Sequence, residues 1–258
     1  MEQKYCKNHV SFGDMIDLIN HLLGPEGCEW DKSQTFMSSR KFLLDETYEL
    51  IDAITENNTA GILEEIGDLL FQLGFQVVLA KKQKCFDERD IFNAIISKMI
   101  ERHPHIFQNA QQLGKKEIES NWHKIKSETK SDPDASILGN VPRSSPSLAA
   151  ALLIQERASA IGFDWLEYEQ VLAKVPEEIE EIRKADSIAN REEEFGDLLF
   201  SIVNVARWIG INPELALETS NKKFIRRFQK MADIAKSQER NLNDMDFVEM
   251  NELWEEVK

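Results

Sequence analysis

Two sets of carboxylates occur in this chain with one spacing. Glu46 and Glu49 stand three residues apart, as do Glu65 and Asp68; downstream, Glu178 and Glu181 repeat the first spacing and Glu194 and Asp197 the second. On a helix, residues three apart share a face. Two helices paired antiparallel would therefore aim four carboxylates at one place in each set. Four like charges gathered there resist joint ionisation and require a cation, and an all-oxygen donor set suits Mg²⁺, with Mn²⁺ as the alternative. A lone EExxE is common on solvated helix faces and carries little by itself. Here Asp68 and Asp197 each precede the apolar run Leu-Leu-Phe, and the whole arrangement occurs twice. Acids in such helices are expected to be buried, and so to need a partner or a metal.

The elements that must hold these acids are legible as helices. Met15, Ile16, Ile19, Leu22 and Leu23 make one apolar face over residues 11–23, with Ser11 and Asp14 spaced as a capping box and Gly24-Pro25 as the stop. After the loop Gly27-Cys28-Glu29-Trp30-Asp31-Lys32-Ser33-Gln34-Thr35, the pattern predicts a helix from about 37 to 55, a break at Asn57-Asn58, a helix over 62–80 and another from about 87 to 102. No stretch alternates with period two for long enough to be a strand. Residues 131–147 hold three prolines, a glycine and several serines with little periodicity, the composition of a linker. The pattern then restarts: a helix over about 147–161, Gly162-Phe163-Asp164-Trp165, an acidic helix, a helix bearing Glu194 and Asp197, and a helix opening at Asn212-Pro213.

Landmarks in the two halves keep a nearly constant separation. Trp30 to Trp165 is 135 positions, Glu46 to Glu178 is 132, Asp68 to Asp197 is 129, Lys98 to Lys223 is 125 and Trp122 to Trp254 is 132, while half of 258 is 129. The expected architecture is all-α, a tandem duplication of a unit of four or five helices. The domains expected are 1–130 and 148–258, joined by the linker 131–147.

Composition bounds the function. With 258 residues, 42% of them hydrophobic and 30% charged, the chain can build one large or two ordinary cores. The net charge of −15 repels nucleic-acid backbones and anionic membranes, yet leaves room for a small phosphate ligand met locally by a cation and a few basic residues. No apolar run is long enough for a membrane span and no secretion signal is evident, so a cytoplasmic protein is expected. Cys6, Cys28 and Cys85 lack metal spacing and read as reduced thiols.

Further residues recur with the acids. Lys98 and Arg102 match Lys223 and Arg227, each pair one helical turn apart, and Trp122 with Lys126 matches Trp254 with Lys258. Such basic pairs can clamp phosphate oxygens, and a Trp can stack on a nucleobase without selecting which one. Salt bridges and core packing are the plainer readings of each alone. His103-Pro104-His105 has no counterpart in the second half and reads as a turn. No His stands three residues after a Glu, which argues against a di-iron carboxylate bundle. P-loop and Rossmann phosphate motifs are absent, leaving side chains and metal to hold any phosphate.

Taken together, the paired EExxE and ExxD acids, the segment 27–35, Arg-His-Pro-His-Ile-Phe at 102–107 and Gly-Phe-Asp-Trp at 162–165 resemble the MazG family of nucleoside triphosphate pyrophosphohydrolases, over essentially the whole chain. The resemblance implies a helical MazG fold in each half, a homodimer, and Mg²⁺-dependent hydrolysis of NTPs and dNTPs to NMP and pyrophosphate. It implies roles in cleaning the nucleotide pool and moderating starvation signalling. By position, it makes Glu178, Glu181, Glu194 and Asp197 metal ligands, with Lys174, Lys223, Arg227 and Trp254 holding the nucleotide. Glu46, Glu49, Glu65 and Asp68 form the matching metal set, beside Lys98, Arg102 and Trp122. Glu178 or Glu181 is the expected proton acceptor for an attacking water.

The sequence departs from the family pattern at three places. Asp45 stands where the family has its first Glu, and Glu29 where Pro precedes Trp-Asp. Pro176 precedes the second EExxE, where it is expected to fix a first helical position and drive Val175 out of the helix. A reading of another class is a helical dimerisation or regulatory scaffold in which one half or neither is active.

Overall fold

A computed structural model of the chain describes residues 11–108, 114, 117, 118, 121, 125 and 138–258. Among the described residues there are helices and no strands, so the fold is all-α as expected. The chain divides into two compact units, Met1–Gln112 and Leu113–Lys258, a division that falls N-terminal to the Pro- and Ser-rich segment at 131–147. Residues 131–137 of that segment lie outside the described residues.

The first unit is organised on a helical hairpin. α1 (Phe12–Leu22) opens on the Ser11–Asp14 capping box, and the one-turn α2 (Glu29–Lys32) forms inside the expected loop. α3 (Phe36–Thr55) and α4 (Thr59–Lys82) are joined by three residues and pack along one another, which makes them antiparallel. The turn is built by the two asparagines: Asn57 takes the left-handed φ of 53° that its short amide tolerates, and the Asn58 side chain accepts from the Gly61 N–H as N-cap. α5 (Glu88–Arg102) and the one-turn α6 (Pro104–Phe107) complete the unit.

Its core lies at one end of α4. Phe75, Val77, Val78 and Leu79 bury against Ile16, Ile19 and Leu23 on and just after α1. Gly74 faces α1: a Cβ there would stand 2.9 Å from Ile19 Cδ1 and 3.2 Å from Met15 Cε, side-chain ends that would have to shift. The N-terminal half of α4, which carries Glu65 and Asp68, contributes no buried residue.

The second unit repeats the hairpin. α7 (Ser147–Ala160) leads into α8 (Tyr168–Lys184) and α9 (Ile188–Trp208), which pack together, and α10 (Pro213–Ser237) touches both α7 and α9. A 3₁₀ turn, Leu242–Asp244, and α11 (Phe247–Glu256) cover the end of α10, where Met231, Ala235, Met245 and Leu253 form a small core. α7 is tied to α9 by Gln155, whose amide donates to the Phe200 carbonyl at 2.8 Å.

Two sequence expectations are corrected. Pro176 lies inside α8 and does not begin it, because the helix starts earlier at a capping box between Glu167 and Gln170. The proline removes one backbone donor without ending the helix, so Val175 stays helical. The helices carrying Asp68 and Asp197 are also less buried than their apolar runs imply. Both aspartates are exposed, as are Ile66, Leu70, Leu199 and Phe200, because the described residues of each unit do not cover that side of its own hairpin.

Gly162-Phe163-Asp164-Trp165 is an anchor for α9. Asp164 receives two bonds from the Arg207 guanidinium, at 2.9 and 2.5 Å, one from the Trp208 indole at 3.3 Å and one from the Trp165 N–H at 2.9 Å. Partial burial opposes ionisation of this carboxyl, but the Arg207 bonds and those from Ser159 and Trp165 prevail and lower its pKa from 3.8 to about 2.

Gly74→Val is expected to lower stability by about 2 kcal/mol through overpacking against Ile19, read as a lower urea midpoint. Asp164→Asn should cost about 2 kcal/mol at neutral pH, the scale of hydrogen bonds to a charged group. The stabilisation from Asp164 is fully present above its unfolded pKa of 3.8 and is lost as pH falls through about 2. Urea titrations of the two proteins should therefore converge at the acid end of that window.

Candidate metal and nucleotide site

Each hairpin brings three carboxylates together. Glu46 and Glu49 on α3 meet Glu65 on α4 with one oxygen from each within 4.8 Å of the others, and Glu178 and Glu181 on α8 meet Glu194 on α9 in the same way. Asp68 and Asp197 fall outside these triads. Both nonetheless bear on them electrostatically, Asp68 on Glu46 and Glu65, and Asp197 on Glu178 and Glu194. Each predicted quartet is thus a triad with a fourth acid beside it.

The electrostatics are those of acids crowded without enough counter-charge. Burial, followed by Asp68, Glu49 and Asp45, raises the pKa of Glu46 against the help of a Gln72 hydrogen bond. Desolvation and then Glu49 raise Glu65, and desolvation and then Glu181 raise Glu194. Glu178, only 6% exposed, is raised chiefly by burial, with Lys174 pulling the other way.

A divalent cation fits this donor set. Mg²⁺ holds oxygens at about 2.0–2.1 Å, which puts neighbouring ligand oxygens about 3 Å apart and opposed ones about 4 Å apart. The oxygens of each triad, within 4.8 Å of one another, lie close to that spacing. Glu65 Oε2 is buried with no hydrogen-bond partner, an acceptor that a cation would satisfy.

The basic and aromatic residues are placed more unevenly. Lys174 pairs with Glu177 at 2.7 Å and reaches Glu178 at 3.6 Å, so it stands at the second triad itself. Lys223 is exposed on α10. One turn on, Arg227 lies over the Trp254 ring at 4.1 Å and donates to its carbonyl at 3.2 Å, while Phe224 packs against the same indole with centroids 5.0 Å apart. One face of Trp254 is therefore covered by the chain's own guanidinium. In the first unit Lys98 is exposed and Arg102 half-buried, both on α5; Trp122 and Lys126 lie outside the described residues. His103 caps α5, with Nδ1 at 2.6 Å from the Met99 carbonyl, as a turn residue should.

Sequence reasoning missed Gln72 as a partner of Glu46, although its place four residues after Asp68 puts it on the same face. It also missed Arg207, whose link to Asp164 spans 43 residues with no local signal.

A family model described as the MazG nucleotide pyrophosphohydrolase domain matches residues 34–107, from just before α3 through α6. The chain is 38% identical over 249 residues to a Thermotoga maritima protein named nucleoside triphosphate pyrophosphohydrolase/pyrophosphatase MazG, covering 96% of each. It is 39% identical over 251 residues to an Escherichia coli K12 protein named nucleoside triphosphate pyrophosphohydrolase, covering 95% of each. A Bacillus subtilis protein named uncharacterized protein YabN shares 38% identity over 251 residues, which are 96% of this chain and 51% of that protein.

The raised carboxyls set a pH dependence. Their folded pKa values lie above the unfolded 4.5, so between the two the native state binds more protons and its stability falls as pH rises. Metal-free protein should therefore show Mg²⁺-dependent stabilisation at pH 8 and little at pH 4.5. Each kcal/mol gained appears as about 2–4 °C in Tm by scanning calorimetry. Glu46→Gln combined with Glu178→Gln should raise the metal-free Tm at pH 8 and shrink the Mg²⁺ response.

Proposed function

The chain belongs to the MazG family of nucleoside triphosphate pyrophosphohydrolases, and from that premise we propose that it hydrolyses NTPs and dNTPs to the monophosphate and pyrophosphate, with broad base tolerance and Mg²⁺ (or Mn²⁺) as cofactor. The observation that carries the reading is the pair of carboxylate triads, each presented by an antiparallel helical hairpin with a fourth acid beside it.

A divalent cation at such a site supplies positive charge for the polyphosphate and acidifies water. The protein's own groups supply the rest of the reaction. Glu178 or Glu181 takes the proton of the water that attacks phosphorus in line. Lys223 and Arg227 offset charge on the departing pyrophosphate, with Lys174 at the triad edge to meet a phosphate oxygen. Trp254 offers its remaining indole face to the base, contact that does not select among bases. In the first unit Glu46, Glu49, Glu65 and Asp68 take the metal role, with Lys98, Arg102 and Trp122 for the nucleotide.

A homodimer belongs to the proposal. Ile66, Leu70 and Leu73 on α4 and Ile91, Ile95 and Ile96 on α5 are all exposed, apolar side chains that a second copy of the chain would cover. Among the described residues no helix is long and apolar enough to cross a membrane, and the charge of −15 disfavours nucleic acid as a partner. A cytoplasmic place, nucleotide-pool housekeeping and a part in the starvation response go with this reading. So does the domain division at 1–130, 131–147 and 148–258.

Release of pyrophosphate from ATP and dGTP with Mg²⁺ is the decisive measurement. The Glu46→Ala/Glu178→Ala double variant should lose about a thousandfold in kcat while its helical circular dichroism is unchanged, and Glu178→Ala alone should remove the larger share. Full turnover by the double variant would sink the assignment of these acids.

A further inference from the structure

The two triads match in their acids and differ in what stands one turn before them. Four residues ahead of Glu178 is Lys174, and four ahead of Glu46 is Phe42. We infer that the two sites are unequal toward divalent cations: Lys174 serves as a built-in counter-ion of the second site, so that in nucleotide-free protein the first site takes the cation more tightly. The inference rests on the metal reading of the triads given above.

The geometry of the second site carries it. Lys174 Nζ lies 2.7 Å from Glu177 Oε1 and 3.6 Å from Glu178 Oε1, and the Glu178 side chain is 8% exposed. A cation entering there meets an ammonium already next to the most buried ligand. It must either repel that ammonium at close range or displace it from Glu178. α8 makes this placement by running unbroken through Pro176, which holds Lys174 and Glu178 on one face at i, i+4.

Among the described residues, nothing comparable guards the first site. Phe42 packs edge-on against Trp30, with centroids 5.6 Å apart, and the neighbouring Lys41 ammonium lies over the Phe42 ring at 4.7 Å. Among the described residues, no Lys or Arg forms an ion pair with Glu46, Glu49, Glu65 or Asp68. Among the described residues, the groups that bear most on Glu46 are the other acids, Asp68, Glu49 and Asp45, and the Gln72 amide. A cation there gains the whole attraction of the set. Because Lys174 is one-third exposed, solvent weakens its effect, and the difference expected is about tenfold in dissociation constant.

Mn²⁺ alone, titrated into the full chain without nucleotide and followed by the electron paramagnetic resonance of the free ion, tests this directly. Wild type should show two classes of site about tenfold apart. Glu49→Gln should remove the tighter class and Glu181→Gln the weaker. Lys174→Gln should tighten the weaker class about tenfold, while Lys174→Arg, which keeps the charge, should leave the classes apart. Equal classes in wild type, a tighter second site, or a weaker class unmoved by Lys174→Gln would each overturn the inference and leave the metal sites standing. Mn²⁺ binding that neither Glu49→Gln nor Glu181→Gln reduces would overturn the metal reading itself.

Discussion

Carboxylates that repel one another are held within ligand distance by backbone hydrogen bonding in two helical hairpins, and this enforced proximity governs the rest of the molecule. Each acid alone would remain ionised in water. Packed in the triads, Glu46, Glu65, Glu178 and Glu194 are pushed toward protonation, by burial first, with neighbouring acids adding to it. The hairpin must be rigid enough to resist the repulsion, and α4 divides that task along its length. Gly74 to Ala80 lock its far end against α1, while Glu65 and Asp68 project from the end that stays open. An acid cluster at the locked end would have to shed its water inside the core. At the open end it keeps solvent on one side and access for a ligand.

Much of this geometry was legible because it is local. Helix ends are set by caps that the sequence shows directly, at Ser11, Asn58 and Asn212, and three-residue spacing settles which acids share a face. The meeting of Glu46 with Glu65 needed one further supposition, antiparallel pairing of the two helices across a connection read as 56–61; the structure shortens that connection to three residues, which leaves the helices little choice. The burial of Asp68 and Asp197 was not legible. Leu-Leu-Phe records a preference for apolar surroundings and does not say whether one chain supplies them, and Leu70 and Phe200 remain exposed in each unit taken by itself. Asp164 and Arg207 were out of reach for another reason, since an ion pair across 43 residues depends on how α9 returns to the start of α8.

Pro176 shows a local rule overruled by another local signal. Proline favours the first turn of a helix, yet the capping box at Glu167 and Gln170 starts α8 more than a turn earlier, and helix on both sides carries it through the missing donor. The consequence is electrostatic. Had α8 begun at Pro176, Lys174 would lie in the preceding loop with its reach toward Glu178 unspecified; inside the helix it is held one turn away, on the same face.

Duplication explains how such a difference can persist. The acids of both hairpins sit at corresponding positions, so the backbone frame is shared, while the position one turn upstream can change without disturbing it. In the first unit that position belongs to an aromatic contact with Trp30. In the second it carries an ammonium at the edge of the acids. An aromatic ring there leaves the carboxylates to be neutralised from outside, whereas an ammonium neutralises them in part from within. Corresponding sets of four acids are therefore left without a basic partner among the described residues in one hairpin and given one in the other, with a single helical position separating the two.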